Sequence, residues 1–113
     1  MNWTITYYSD SVQEEILAMP AGFLGKYLRY TDRMEIYGPD LGMPHSRAMG
    51  KGLFELRLKA ADGITRVFYC TIFGKKIVML HSYIKKTDKT PTRELATARQ
   101  RLKEIKNAYT QRT

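Results

Sequence analysis

The sequence predicts an α+β domain, one antiparallel sheet covered by helices, in the order β-α-α-β-β-β-α. Three observations predict it. Residues 53–84 form three consecutive strand-like runs joined by tight turns, a spacing that forces antiparallel pairing. Helical periodicity lies before this block and after it, not within it. A chain of 113 residues can bury one core of that size but not two, so 1–113 is expected to be a single domain.

Taken in order, Asn2–Tyr8 is rich in β-branched and aromatic residues and reads as a strand, with Trp3 in the core. Ser11 with Glu14 three positions on reads as a capping box opening a short helix, whose Val12, Ile16 and Met19 share a face. Pro20-Ala21-Gly22 breaks it. A second helix is expected from about Phe23 to Tyr37, its apolar stripe made of Phe23, Tyr27, Tyr30, Met34 and Tyr37, widened by Leu24 and Leu28. These tyrosines are read as core. Gly38–Gly52, with four glycines and two prolines, is expected to be a long loop, with His45 solvent-exposed in it.

Leu53–Lys59 alternates, placing Phe54, Leu56 and Leu58 on one face and Glu55, Arg57 and Lys59 on the other. Asp62-Gly63 reads as a hairpin turn. The nearly continuous apolar run Ile64–Phe73 is expected at the centre of the sheet, and Gly74-Lys75 turns the chain into a third strand, Ile77–Ile84. Strict alternation puts Met79, His81, Tyr83 and Lys85 on one face of it. After a polar stretch Lys85–Thr90, Thr90 and Pro91 suit a helix start, and Leu95, Ala98, Leu102, Ile105 and Tyr109 recur at helical spacing. The first strand must reach the edge of the sheet by the helical crossover.

Composition narrows the function. The hydrophobic fraction of 43% and the thirteen aromatics exclude a disordered chain. No apolar run is long enough to span a bilayer, and the first fifteen residues lack the basic start of a signal peptide, so a cytoplasmic protein without membrane contact is expected. Cys70, the single cysteine, lies in an apolar run and reads as a buried hydrophobe. The net charge of +8 is unevenly spread. Residues 1–56 hold five Lys/Arg against seven Asp/Glu, whereas residues 57–113 hold fourteen against four, a swing from −2 to +10. A basic half of this kind favours a polyanion such as RNA, or an acidic protein.

No cysteine cluster, P-loop, nucleophile elbow or close acidic pair is present, so no metal and no cofactor is expected. What remains is a set of cations, tyrosines and one histidine on three neighbouring strands: Arg57, Arg66, Tyr69, His81, Tyr83 and Lys85. Arg66 stands out because a cation inside an apolar strand is costly without an anionic partner. Arg66 and Tyr69 differ by three, so both reach one face only if a bulge or strand end intervenes.

Three blocks, Gly52-Leu53-Phe54-Glu55-Leu56-Arg57, Arg66-Val67-Phe68-Tyr69 and Leu80–Pro91, resemble those of the phage-derived branch of RelE/HigB toxins. Arg93–Arg99 resembles that branch's helix start, and the likeness covers about Leu41–Lys106. The resemblance implies the RelE/ParE-like fold and the toxin of a toxin–antitoxin pair, an endoribonuclease that cleaves mRNA in the ribosomal A site. It also implies a cognate antitoxin, usually a helix-turn-helix protein. By the family pattern Arg66 contacts the scissile phosphate, Lys85 and Lys86 are phosphate-binding cations, and Arg57 is a further basic position. Lys59, Lys89 and Arg93 join the expected RNA-binding set. Glu55 departs from the pattern, standing where classical RelE toxins carry a lysine, which leaves the acid and base roles unassigned. His81 is the most natural proton carrier near neutrality, with Tyr83, Tyr69 or Lys85 as substitutes. Two other readings fit the same fold: a ParE-like gyrase inhibitor, and a nucleic-acid-binding module that cuts nothing.

Overall fold

The computed structural model describes residues 2–61, 63–85 and 91–110. The turn residue Asp62, the lysines Lys86 and Lys89 and the helix cap Thr90 lie outside the described residues. The elements are β1 (Thr4–Tyr7), α1 (Asp10–Leu17), α2 (Ala21–Tyr37), β2 (Ser46–Gly50), β3 (Leu53–Ala60), β4 (Gly63–Ile72), β5 (Lys76–Lys85) and α3 (Thr92–Thr110). They form an α+β structure around one five-stranded sheet, in the order β1-β5-β4-β3-β2. The apolar run of β4 is central, and β1 joins β5 in parallel at the edge, as the helical crossover requires. All other neighbours pair antiparallel.

One strand was not expected. Ser46–Gly50 lies in the segment assigned to a loop, yet it pairs with β3, Arg47 opposite Glu55 and Ala48 opposite Phe54. Lys51 and Gly52 close this hairpin with φ of 55° and 85°, two left-handed residues in succession, the geometry of a type I′ turn that matches strand twist.

Helix starts and faces also differ in detail. The cap of α1 is Ser9, two residues before the expected Ser11, and its hydroxyl accepts from the Val12 amide at 3.2 Å. In α2 the buried positions are Phe23, Tyr27, Thr31 and Met34. Thr31 takes an interior place because its hydroxyl bonds back to the Tyr27 carbonyl at 3.0 Å, while Tyr37 and Leu28 face solvent and Tyr30 is half-buried.

The sheet separates two apolar clusters. Against α1 and α2 pack Leu56, Leu58, Val67, Tyr69, Ile77 and Met79. Against α3 pack Leu53, Phe68, Cys70, Val78 and Leu80, met by Leu95, Ala98, Leu102 and Ile105. Polar straps fix α3 in place: Arg99 donates to the carbonyls of Met49 and Gly50, Arg101 donates to the Leu80 carbonyl at 2.8 Å and lies over the Tyr8 ring, and the Tyr8 hydroxyl bonds Glu104. Among the described residues no helix is long and apolar enough to cross a membrane.

Cys70 is wholly enclosed, and burial pushes its thiol up to about 11. The thiolate is the reactive form, so iodoacetamide at neutral pH is expected to alkylate the native chain at roughly a tenth or less of the rate seen in denaturant. Mass spectrometry of both samples over time checks this; equal rates would mean that the β4 centre opens readily.

Candidate functional site

Alternation and register place the candidate side chains in a grid on the α3 side of the sheet. Glu55, Arg57 and Lys59 share that side of β3 because their neighbours Leu56 and Leu58 pack on α1 and α2. Across the strands, Glu55 faces Phe68 and then His81; Arg57 faces Arg66 and then Tyr83; Lys59 faces Ile64 and then Lys85. The first row lies toward the helix, and at the far end of the third row Lys59 is exposed.

A β-bulge makes this grid. Phe68 pairs with His81 and Tyr69 with Met79, so Leu80 is an extra residue on β5. Met79 therefore packs toward α1 and α2, while His81, Tyr83 and Lys85 turn to the α3 side. Strict alternation had grouped Met79 with His81; the bulge separates them.

The same geometry removes Tyr69. It lies on the opposite face, fully buried, stacked on Phe54 at 5.4 Å between ring centroids, and its hydroxyl donates to the Pro39 carbonyl at 2.5 Å. Burial pushes that phenol up to about 12. The bulge that would bring Tyr69 beside Arg66 is absent from β4, so Tyr69 is a core residue.

Arg66 is also placed differently from expectation. It is 2% exposed, and its Nη1 donates to Glu55 Oε1 at 2.5 Å. Arg47 Nε reaches the same oxygen at 3.1 Å from a more exposed position. The buried cation thus has its anion on the next strand, diagonal to it in the register. The two arginines of the middle row stand directly opposite each other, a like-charge pairing that is unfavourable by itself. Arg57 Nε and Arg66 Nε are both shut from solvent, and neither has a hydrogen-bond partner among the described residues.

His81 is held by α3. Its Nε2 lies 2.8 Å from Glu94 Oε1 and its Nδ1 3.5 Å from Arg101 Nη1. Its ring runs nearly parallel to Tyr83, with centroids 6.4 Å apart, and Tyr83 in turn lies over Phe68 at 5.9 Å. Lys85 is half-buried at the end of β5, and Arg93 is exposed in the first turn of α3. Among the described residues no group of three His, Cys, Asp or Glu side chains converges as a metal site requires.

Sequence reasoning missed the partners that hold these groups: Arg47 because the β2 segment reads as loop, and Glu94 and Arg101 because their contacts with His81 join a strand to α3. It also missed Tyr30 and His45. His45 is only partly exposed, its Nδ1 lies 3.1 Å from the Tyr30 hydroxyl, and its carbonyl accepts from the Arg57 amide at 2.8 Å. Tyr30 reads as part of the α2 core stripe, and nothing in the sequence sets it apart from the buried Tyr27.

Residues 14–103 match the family described as phage derived protein Gp49-like (DUF891). Among solved structures, a free-state variant of the E. coli toxin RelE superposes with a TM-score of 0.65 at 9% identity, covering 89% of this chain and 98% of that one. The archaeal RelE-RelB complex from Pyrococcus horikoshii OT3 matches with a TM-score of 0.51 at 17% identity, over 76% of this chain and 98% of that one. At these identities the likeness is one of fold. Among curated protein sequences none matches.

Proposed function

The chain belongs to the phage-derived Gp49-like family, and from that premise we propose that it is the toxin of a toxin–antitoxin pair, a ribosome-dependent endoribonuclease acting on mRNA. The observation that carries this reading is the middle row of the grid, where Arg57, partly exposed and lining a cleft, stands opposite the buried Arg66 with Tyr83 next in line. Glu55 already balances Arg66, so the charge this row offers to an anion is that of Arg57, and a phosphate diester has oxygens that fit its planar fork.

Cleavage without a metal uses the substrate's own 2′-hydroxyl. It attacks the adjacent phosphorus, the bond from phosphorus to the 5′-oxygen breaks, and the products are a 2′,3′-cyclic phosphate and a free 5′-hydroxyl. One proton leaves the 2′-oxygen and one arrives at the 5′-oxygen. Arg57, the more accessible arginine, supplies charge to the pentacoordinate phosphorus, and Arg66 backs it from the sheet. Tyr83 and His81 are the proton carriers, His81 through Nδ1, which Arg101 approaches only to 3.5 Å, while Glu94 holds Nε2 and so orients the ring. Lys59 and Lys85 hold the flanking backbone, and Arg93, exposed in the first turn of α3, adds to the positive charge of this half; Lys86 and Lys89 stay RNA-binding candidates by sequence alone. A cognate antitoxin of the helix-turn-helix type, covering the basic half of the chain, is the partner this reading calls for.

Primer extension on mRNA in a translating extract tests it. Ribosome-dependent cuts inside codons, ending in a cyclic phosphate, are expected from the wild type and absent from Tyr83→Phe with His81→Ala combined. A wild type that binds RNA and cuts nothing, beside a control toxin that cuts, would leave the binding-module reading; inhibited supercoiling by gyrase would favour the gyrase-inhibitor reading instead.

A further inference from the structure

A cleft of about 400 Å³ opens beside the middle row, between α2 and the edge of the sheet. It is lined by Lys26 and Tyr30 of α2, Pro44 and His45 of the segment before β2, Arg57 and Lys59 of β3, and Ile64. Three cations and no carboxylate line it, so it suits an anion and repels a metal ion. The rings of Tyr30 and His45 lie 4.9 Å apart at 56° and are joined through the hydroxyl and Nδ1. The Arg57 amide ties His45 to β3, so the rings and the cations belong to one rigid frame.

We infer that this cleft binds a single nucleotide of an RNA strand, its base against Tyr30 and His45 and its phosphate among Lys26, Arg57 and Lys59. A nucleotide combines a flat π-face with a phosphate, and single-stranded RNA is held by this pairing of aromatic rings with a basic groove. The volume falls within the range of small-ligand sites. An acidic peptide would use the cations and leave the rings unused. Arg57 is common to the cleft and to the middle row, so the nucleotide it holds is the neighbour of the scissile phosphate. The choice of RNA as the strand rests on the ribonuclease reading.

The test is binding of a fluorescent, fully 2′-O-methylated RNA octamer, which cannot be cut, measured by anisotropy at several salt concentrations. His45→Ala is expected to weaken binding about fivefold or more, in keeping with loss of one base stack. Lys26→Ala is expected to weaken it and to flatten the salt dependence by about one counterion. Lys103→Ala, on the outer side of α3, is expected to leave affinity within twofold. Lys26 is half-exposed, so its variant remains informative if His45→Ala melts early. Wild-type affinity in both cleft variants would overturn the inference, and so would equal competition by a poly-glutamate peptide that His45→Ala does not alter. Cutting by the wild type with unaltered binding in the cleft variants would sink the cleft alone. No cutting, with weakened binding in those variants, would sink the nuclease reading and leave the cleft standing.

Discussion

Glu55→Ala is expected to lower the unfolding free energy by about 3–5 kcal/mol, the usual cost of stripping one partner from a buried ion pair. The side chains of Glu55 and Arg66 are 0% and 3% exposed, and 2.5 Å separates Oε1 from Nη1. Without the carboxylate, the Arg66 guanidinium stays enclosed in the sheet, directly opposite Arg57, with no anion to offset either charge. Arg47→Ala removes the outer arm of the same network, but that side chain is 44% exposed, so a loss of about 1 kcal/mol or less is expected. The double variant Glu55→Leu/Arg66→Leu should recover much of the Glu55→Ala loss, because two apolar side chains of suitable volume replace a charged pair at little net cost. Urea unfolding of the four proteins measures these differences. A Glu55→Ala chain within 1 kcal/mol of wild type would show that Arg66 reaches water or another anion, and the enclosed middle row would have to be abandoned.

The strands β3, β4 and β5 were legible because alternation and turn residues are local signals. The burial of Leu56 and Leu58 against α1 and α2 follows from spacing alone. Strand β2 was not legible. Ser-Arg-Ala-Met-Gly has no β-branched residue, and it is a strand only because β3 offers it an edge. The bulge at Leu80 carries no glycine or proline to mark it, so its consequence, the turning of His81 and Tyr83 away from Met79, could not be read from the chain. Arg66 shows the same limit from another side. Its oddity within an apolar strand was visible, but the anion that resolves the oddity lies on β3, and only register brings Glu55 within reach. For the same reason Glu55 was seen as a departure from the family pattern without being seen as the partner of Arg66. The candidate site was therefore legible as a set of residues and illegible as a set of contacts.

Arg57→Ala is expected to reduce cleavage by about 10²–10³-fold, the scale for loss of one preorganised electrostatic donor at a developing oxyanion. Unlike Arg66, Arg57 is partly exposed, borders the cleft, and makes no ion pair with a carboxylate among the described residues, so its field is directed to a ligand and not to an internal carboxylate. Arg57→Lys keeps a charge but loses the fork, and should fall between wild type and alanine. Single-turnover cleavage on programmed ribosomes, with thermal melts of the same preparations, separates the two arginines. Arg66→Ala should lower activity and stability together, because it strands Glu55 in the sheet face. Arg57→Ala should leave stability unchanged or raise it, since removing one of two cations that stand directly opposite relieves their repulsion. A substitution that stabilises the fold while abolishing the reaction is the signature of charge held in place for a substrate. Cleavage by Arg57→Ala within threefold of wild type would remove Arg57 from the phosphate, and the middle row would then be a feature of the fold alone.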